Sequence, residues 1–170
     1  MMSLSEIKTE VDRWAGLIGA AGHRALPTYG HTQDGARPRI EVDSRGYHFV
    51  VVERGQEQER FTTPNLDDLL FRIFQSVTHE LAFAYELVHR VEMQDCRRLA
   101  FRRQVELLSQ LSPNWAEREA QGQSRILTEH PFDDMASIRA SLTRELKDAG
   151  YSPQTAWQMA GERYPLPAPA

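Results

Sequence analysis

The stretch Arg39-Ile40-Glu41-Val42-Asp43-Ser44-Arg45-Gly46-Tyr47-His48-Phe49-Val50-Val51-Val52-Glu53-Arg54-Gly55-Gln56-Glu57-Gln58-Glu59-Arg60-Phe61-Thr62-Thr63-Pro64-Asn65 decides the fold. Residues 39–43 alternate apolar and polar side chains, the period of a half-buried strand. Residues 47–52 are aromatic and β-branched, the strongest β segment in the chain. Residues 57–62 form a polar third strand, whose charges suit a sheet edge. Ser44-Arg45-Gly46 and Gly55 supply the turns. The pattern predicts a three-stranded antiparallel meander over residues 39–62. So small a sheet needs helices on one face. After Thr63 the period changes to 3.6, and Asn65 has the chemistry of a helix cap. Asp67 and Asp68 suit the positive end of the helix dipole.

On the N-terminal side, Leu4, Ile7, Val11, Trp14, Leu17 and Ile18 recur at helical spacing. They predict a helix within residues 1–20, opened by a Ser3/Glu6 capping box. Residues 22–38 hold Pro27, Gly30, Asp34, Gly35 and Pro38 and predict a long loop, a place where function often sits. On the C-terminal side, residues 65–163 form a helical region. From Asn65 to Leu111 there is neither Gly nor Pro. One helix over that span would be about 69 Å long, against a radius of gyration near ~15 Å for a compact domain of this size. A break is expected at Glu92-Met93-Gln94-Asp95. Before it the apolar stripe is Leu70, Ile73, Phe74, Val77, Leu81, Ala84, Val88 and Val91. Ser112-Pro113 and Ser152-Pro153 each pair a cap with a proline in the first turn. Asp133 or Asp134 starts the helix between them. Alternating prolines make residues 164–170 an extended tail. The expectation is one α+β domain over residues 1–170, with four or five C-terminal helices packed on one sheet face.

Composition narrows the function. The 170 residues carry 20 Lys plus Arg, 24 Asp plus Glu and a net charge of −4. A generic nucleic-acid coat would show a basic excess instead. The single cysteine, Cys96, excludes an intrachain disulfide and any all-cysteine zinc cage. No apolar run reaches the ~18 residues of a membrane span. Met1–Glu6 lacks the basic and apolar regions of a signal peptide, so the expected location is cytoplasmic.

Glu86-x-x-His89 has the spacing of a carboxylate-bundle metal ligand pair, but a complete site needs a second pair and further glutamates. Glu86 and His89 also lie off the apolar stripe, on what reads as a solvated face. No nucleophile elbow or phosphate-binding glycine loop is present. These observations predict no catalytic residues, no metal and no cofactor. A surface of carboxylates remains: Glu53, Glu57 and Glu59 on the strands, then Asp67 and Asp68. Such a cluster suits steering onto a basic protein. The second candidate is the 22–38 loop, with Tyr29, His31, Asp34 and Arg37.

Three runs carry a family resemblance: Leu26-Pro27-Thr28-Tyr29-Gly30; Asp34 through Asp43; and Gly46 through Gly55. Later matches are Tyr85-Glu86-Leu87 with His89-Arg90, Gln94-Asp95 with Arg97-Arg98, Leu111-Ser112-Pro113 with Trp115-Ala116-Glu117-Arg118, and Glu129-His130-Pro131-Phe132-Asp133-Asp134. Together they resemble the immunity protein 63 family of bacterial polymorphic toxin systems. The resemblance implies a non-enzymatic inhibitor. It would bind a cognate toxin domain encoded by a neighbouring gene and serve in interbacterial competition. The competing expectation is a small ligand-binding or enzymatic domain using the 22–38 loop and the Glu86/His89 pair.

Overall fold

The computed structural model describes residues 1–33 and 35–168. They form α1 (Leu4–Leu17), β1 (Thr28–Tyr29), β2 (Arg39–Asp43), β3 (Gly46–Glu53), β4 (Gln56–Thr63), α2 (Leu66–Val88), α3 (Cys96–Ser109), α4 (Pro113–Glu129), α5 (Ala136–Asp148) and α6 (Pro153–Arg163). The class is α+β. Five helices follow the sheet, and the break in the long helical span falls where the polar run Glu92–Asp95 put it. The described residues divide into two units. One is Met1–Leu81 with Gln104–Glu117, and the other is Ala82–Arg103 with Arg118–Ala170.

The first unit is built on the sheet. Its strand order is β1-β2-β3-β4. The antiparallel pairs β2–β3 and β3–β4 match the meander. The sheet differs from the expected three antiparallel strands in one respect, because β1 adds a fourth strand parallel to β2. Only two residues long, β1 is held by Thr28 N–H on the Pro38 carbonyl at 2.8 Å and Gly30 N–H on the Ile40 carbonyl at 3.0 Å. A strand this short, flanked by Pro27 and Gly30, carries no period to detect.

The inner sheet face presents Ile40, Tyr47 and Phe49 to one core with Ile7, Val11 and Ala15 of α1 and Leu69, Ile73, Phe74 and Val77 of α2. The capping box forms as expected, with Glu6 accepting from the Ser3 amide at 2.8 Å. Asn65 accepts from the Asp67 amide at 2.9 Å at the start of α2. The largest fully buried side chain is Trp115 of α4. It stacks on Trp14 at 5.0 Å and Phe74 at 6.0 Å, with Phe71 edge-on at 6.3 Å. Its indole N–H donates to Asp67 at 3.1 Å.

The second unit is helical, and the buried Asp95 holds two of its loops together. Its carboxylate accepts from the amides of Arg97 (2.9 Å) and Asp133 (2.8 Å) and from the Arg97 guanidinium. Asp134 accepts in return from the Asp95 amide at 2.9 Å. Arg139, 2% exposed, donates to Asp133 and to the Tyr164 and Pro165 carbonyls, so it fixes the start of the tail. Here α2 departs from its expected stripe. Val88 and Val91 are 76% and 50% exposed, whereas Ala82 and Glu86 are buried. The buried face therefore runs through Ala82 and Glu86, four residues apart. A glutamate is tolerated there because Arg90, one turn on, pairs with it at 2.9 Å.

Two predictions follow from this packing. A Cβ on Gly46 would lie 2.4 Å from the Thr63 carbonyl oxygen, and φ there is +134°. Gly46→Ala should cost about 2–3 kcal/mol, lowering the calorimetric midpoint by roughly 5–10 °C. Ser44→Ala, exposed in the same turn, should stay within about 0.5 kcal/mol. The second concerns Asp95. Burial pushes its carboxyl up, but the Arg97 guanidinium and the amides of Asp133 and Arg97 more than offset this. The value falls from 3.8 to about 2. A carboxyl depressed in the folded state stabilises fully above its unfolded value, and that stability is lost as pH falls toward 2. The difference amounts to about 2 kcal/mol. Urea unfolding at pH 6 and pH 2 should show Asp95→Asn strongly destabilised at the higher pH, with the gap to the parent protein shrinking at the lower.

Candidate functional site

The β3–β4 hairpin turns through Arg54 and Gly55, at φ +51° and +75°. Positive φ at both central residues is the geometry of a tight two-residue hairpin turn. From Glu59 to Thr63 the β4 register is regular, running from Glu59↔Val51 to Thr63↔Tyr47. Glu57 then pairs with Val52, so Gln58 is the extra residue of a bulge. Cross-strand partners share a face and neighbours on one strand do not. The bulge therefore puts Glu57 and Glu59 on opposite faces, although two residues apart they would otherwise share one.

That inversion sorts the predicted carboxylates. Glu59 points to the inner side and takes a two-pronged bond from Arg72 of α2, at 2.5 and 2.8 Å. The same guanidinium sits 4.8 Å over the Phe49 ring. Asp67 is engaged by Trp115, and Asp68 accepts from the Thr63 hydroxyl at 3.4 Å. Glu57 points to the outer face and Glu53 closes β3 beside it, both exposed. Of the five, Glu53 and Glu57 flank the hairpin turn on opposite faces of the sheet, Glu57 pairing with Arg60, while the other three serve internal bonds.

The outer face carries a charge row that separate readings of each strand miss. Arg39 pairs with Glu41 at 2.6 Å, Glu41 with Arg60 at 2.9 Å, and Arg60 with Glu57 at 2.6 Å. Hydrogen bonds from Arg60 hold the Glu57 carboxyl below its ordinary value. Beside the row, buried His48 joins two elements. Its Nδ1 lies 2.9 Å from the Thr62 hydroxyl and its Nε2 2.9 Å from Asp43. Hydrogen bonds from Arg45, with the His48 ring close by, press the Asp43 carboxyl well below the usual range. Period two in β2 already puts Arg39, Glu41 and Asp43 on one face. Only the register adds His48 and Arg60.

The second candidate forms a cavity of 490 Å³ walled by Lys8 and Asp12 of α1 and by His23, Tyr29, His31 and Arg37. The loop is braced from within. Arg37 donates to the Leu26 carbonyl at 2.7 Å and to Gln33, and the Thr28 hydroxyl donates to the His31 carbonyl. Burial pushes the Tyr29 hydroxyl up, and it has no partner among the described residues. Asp34, named with this group, lies outside the described residues.

Glu86 and His89 do not act together, and Glu86 is not on a solvated face. Glu86 is 2% exposed and bound to Arg90. His89 is exposed, with Nδ1 2.9 Å from the Tyr85 carbonyl and its ring stacked on Tyr85. Among the described residues, no group of three or more His, Cys, Asp or Glu is placed to hold a metal ion. Nor is any helix among them long and apolar enough to cross a membrane.

Residues 43–125 match the model of the family Immunity protein 63. The family resemblance is borne out over that segment, a little under half of the chain. It runs from the end of β2 through the hairpin, α2 and α3 into α4. No curated protein and no solved structure matches the chain.

Proposed function

We propose that this protein is a non-enzymatic immunity protein. It binds a cognate toxin domain encoded by a neighbouring gene and neutralises it in the cytoplasm. Residues 1–170 act as a single immunity-type domain, and the toxin's active surface is occluded rather than chemically altered. The observation that carries this is the family match over residues 43–125. The way the polar groups are spent supports the non-enzymatic part. The catalytic candidates Glu86 and His89 are diverted into separate local contacts, and most carboxylates near the sheet already bind arginines of the same chain.

The exposed hairpin supplies the recognition surface, with Glu53 and Glu57 as first contacts. A toxin that acts on nucleic acid or nucleotides needs a basic cleft, and a carboxylate-bearing hairpin can stand in for its anionic substrate. Attraction of this kind raises the association rate and weakens with salt.

The double variant Glu53→Arg/Glu57→Arg, mixed with the toxin domain of the adjacent gene, should associate about tenfold more slowly at low salt. In 0.5 M salt the difference should shrink, and the thermal midpoint should fall only slightly, since both side chains are exposed and the Glu57–Arg60 pair that is lost lies at the surface. Association and protection equal to those of the parent protein at both salt concentrations would place the interface elsewhere, with the 22–38 loop as the next surface to examine.

A further inference from the structure

The sheet ends on an open strand. Among the described residues β4 has β3 as its sole neighbour in the strand order, and at eight residues it is far longer than β1 at the other edge. Which of its main-chain groups face outward follows from Gly46. The Thr63 carbonyl oxygen approaches the place of a Gly46 Cβ within 2.4 Å, so it faces β3. Along an antiparallel strand the main-chain groups of successive residues alternate between the two sides. Phe61 and Glu59 therefore also face β3. The N–H and C=O groups of Thr62 and Arg60 face the open side, in the stretch where the register is regular. The bulge at Gln58 marks where that stretch stops.

We propose that Arg60–Thr63 is a docking edge, and that an extended segment of the toxin adds to it as a fifth strand. This rests on the immunity role proposed above and specifies how the complex forms. The occupant follows from the chemistry of the edge. A row of outward N–H and C=O groups spaced for a ladder is matched by the main chain of an extended peptide. The half-buried Phe61 offers that peptide an apolar neighbour on the inner side, whereas Arg60 and Thr62 offer polar ones on the outer. The incoming segment should therefore alternate apolar and polar residues. The charged, bulged end of β4, at Glu57 and Gln58, blocks indiscriminate pairing and sets the register of the strand that does dock.

Thr62 allows a clean test. Thr62→Pro deletes an outward N–H without removing a bond to β3, a position where an edge strand accepts proline. Thr62→Ala removes only the side chain and its contact with His48. With the toxin domain of the adjacent gene, Thr62→Ala should bind within about threefold of the parent protein. Thr62→Pro should bind at least 30-fold more weakly while retaining its circular dichroism spectrum. Should Thr62→Pro fail to fold, amide exchange in the parent protein decides the matter. The Arg60 and Thr62 amides should exchange fast alone and at least 100-fold more slowly in the complex. Undiminished binding by folded Thr62→Pro, or unprotected amides in a complex that forms, overturns the docking edge and leaves the immunity role standing. A dimer of the free protein that Thr62→Pro converts to monomer overturns it in favour of a second copy. No binding by the parent protein overturns both.

Discussion

A buried indole must keep a hydrogen-bond acceptor, and in the first unit that requirement organises the helices. Trp115 is sealed among Trp14, Phe71 and Phe74, residues far apart in sequence. Its N–H is satisfied by Asp67 in the first turn of α2. An unmet buried donor costs about 1–3 kcal/mol, so α4 is fixed in position relative to the start of α2 as well as packed against it. That start lies three residues beyond the end of β4, and Thr63 joins the two by accepting from the Asn65 amide and donating to Asp68. The open edge strand β4 is thus tied directly to the aromatic core.

Local signals were legible where one segment carries its own evidence. The Ser3/Glu6 box, the Ser152-Pro153 start of α6, strands β2 to β4 and the break after α2 all follow from residues within a few positions of one another. What was hidden depends on partners distant in sequence. β1 exists because Pro38 and Ile40 offer it carbonyls, which two residues cannot advertise. Glu86 is buried because Arg90 neutralises it, yet as a lone glutamate it reads as solvent-facing. The predicted acidic surface was legible as a list of residues but not as a geometry. One bulge residue, Gln58, turns Glu57 outward and leaves Glu59 to Arg72.

This redistribution changes the kind of partner that the sheet suits. A broad acidic patch would act through long-range attraction alone. The surface instead has Glu53 and Glu57 at a hairpin tip, the latter closing a nearly neutral row of paired charges, and an open strand edge. Attraction at the tip favours encounter, and main-chain pairing at the edge supplies directional contacts that form only in register. The row Thr62–His48–Asp43 has the order hydroxyl, imidazole, carboxylate, so His48 is one position at which covalent chemistry can be tested.

The most direct measurement is therefore a titration of the toxin domain's activity with this protein. Neutralisation by binding predicts a linear fall that reaches zero at one equivalent and does not deepen with time. Loss of toxin activity at a small fraction of an equivalent, progressing with incubation and abolished by His48→Ala, would show turnover and contradict the account.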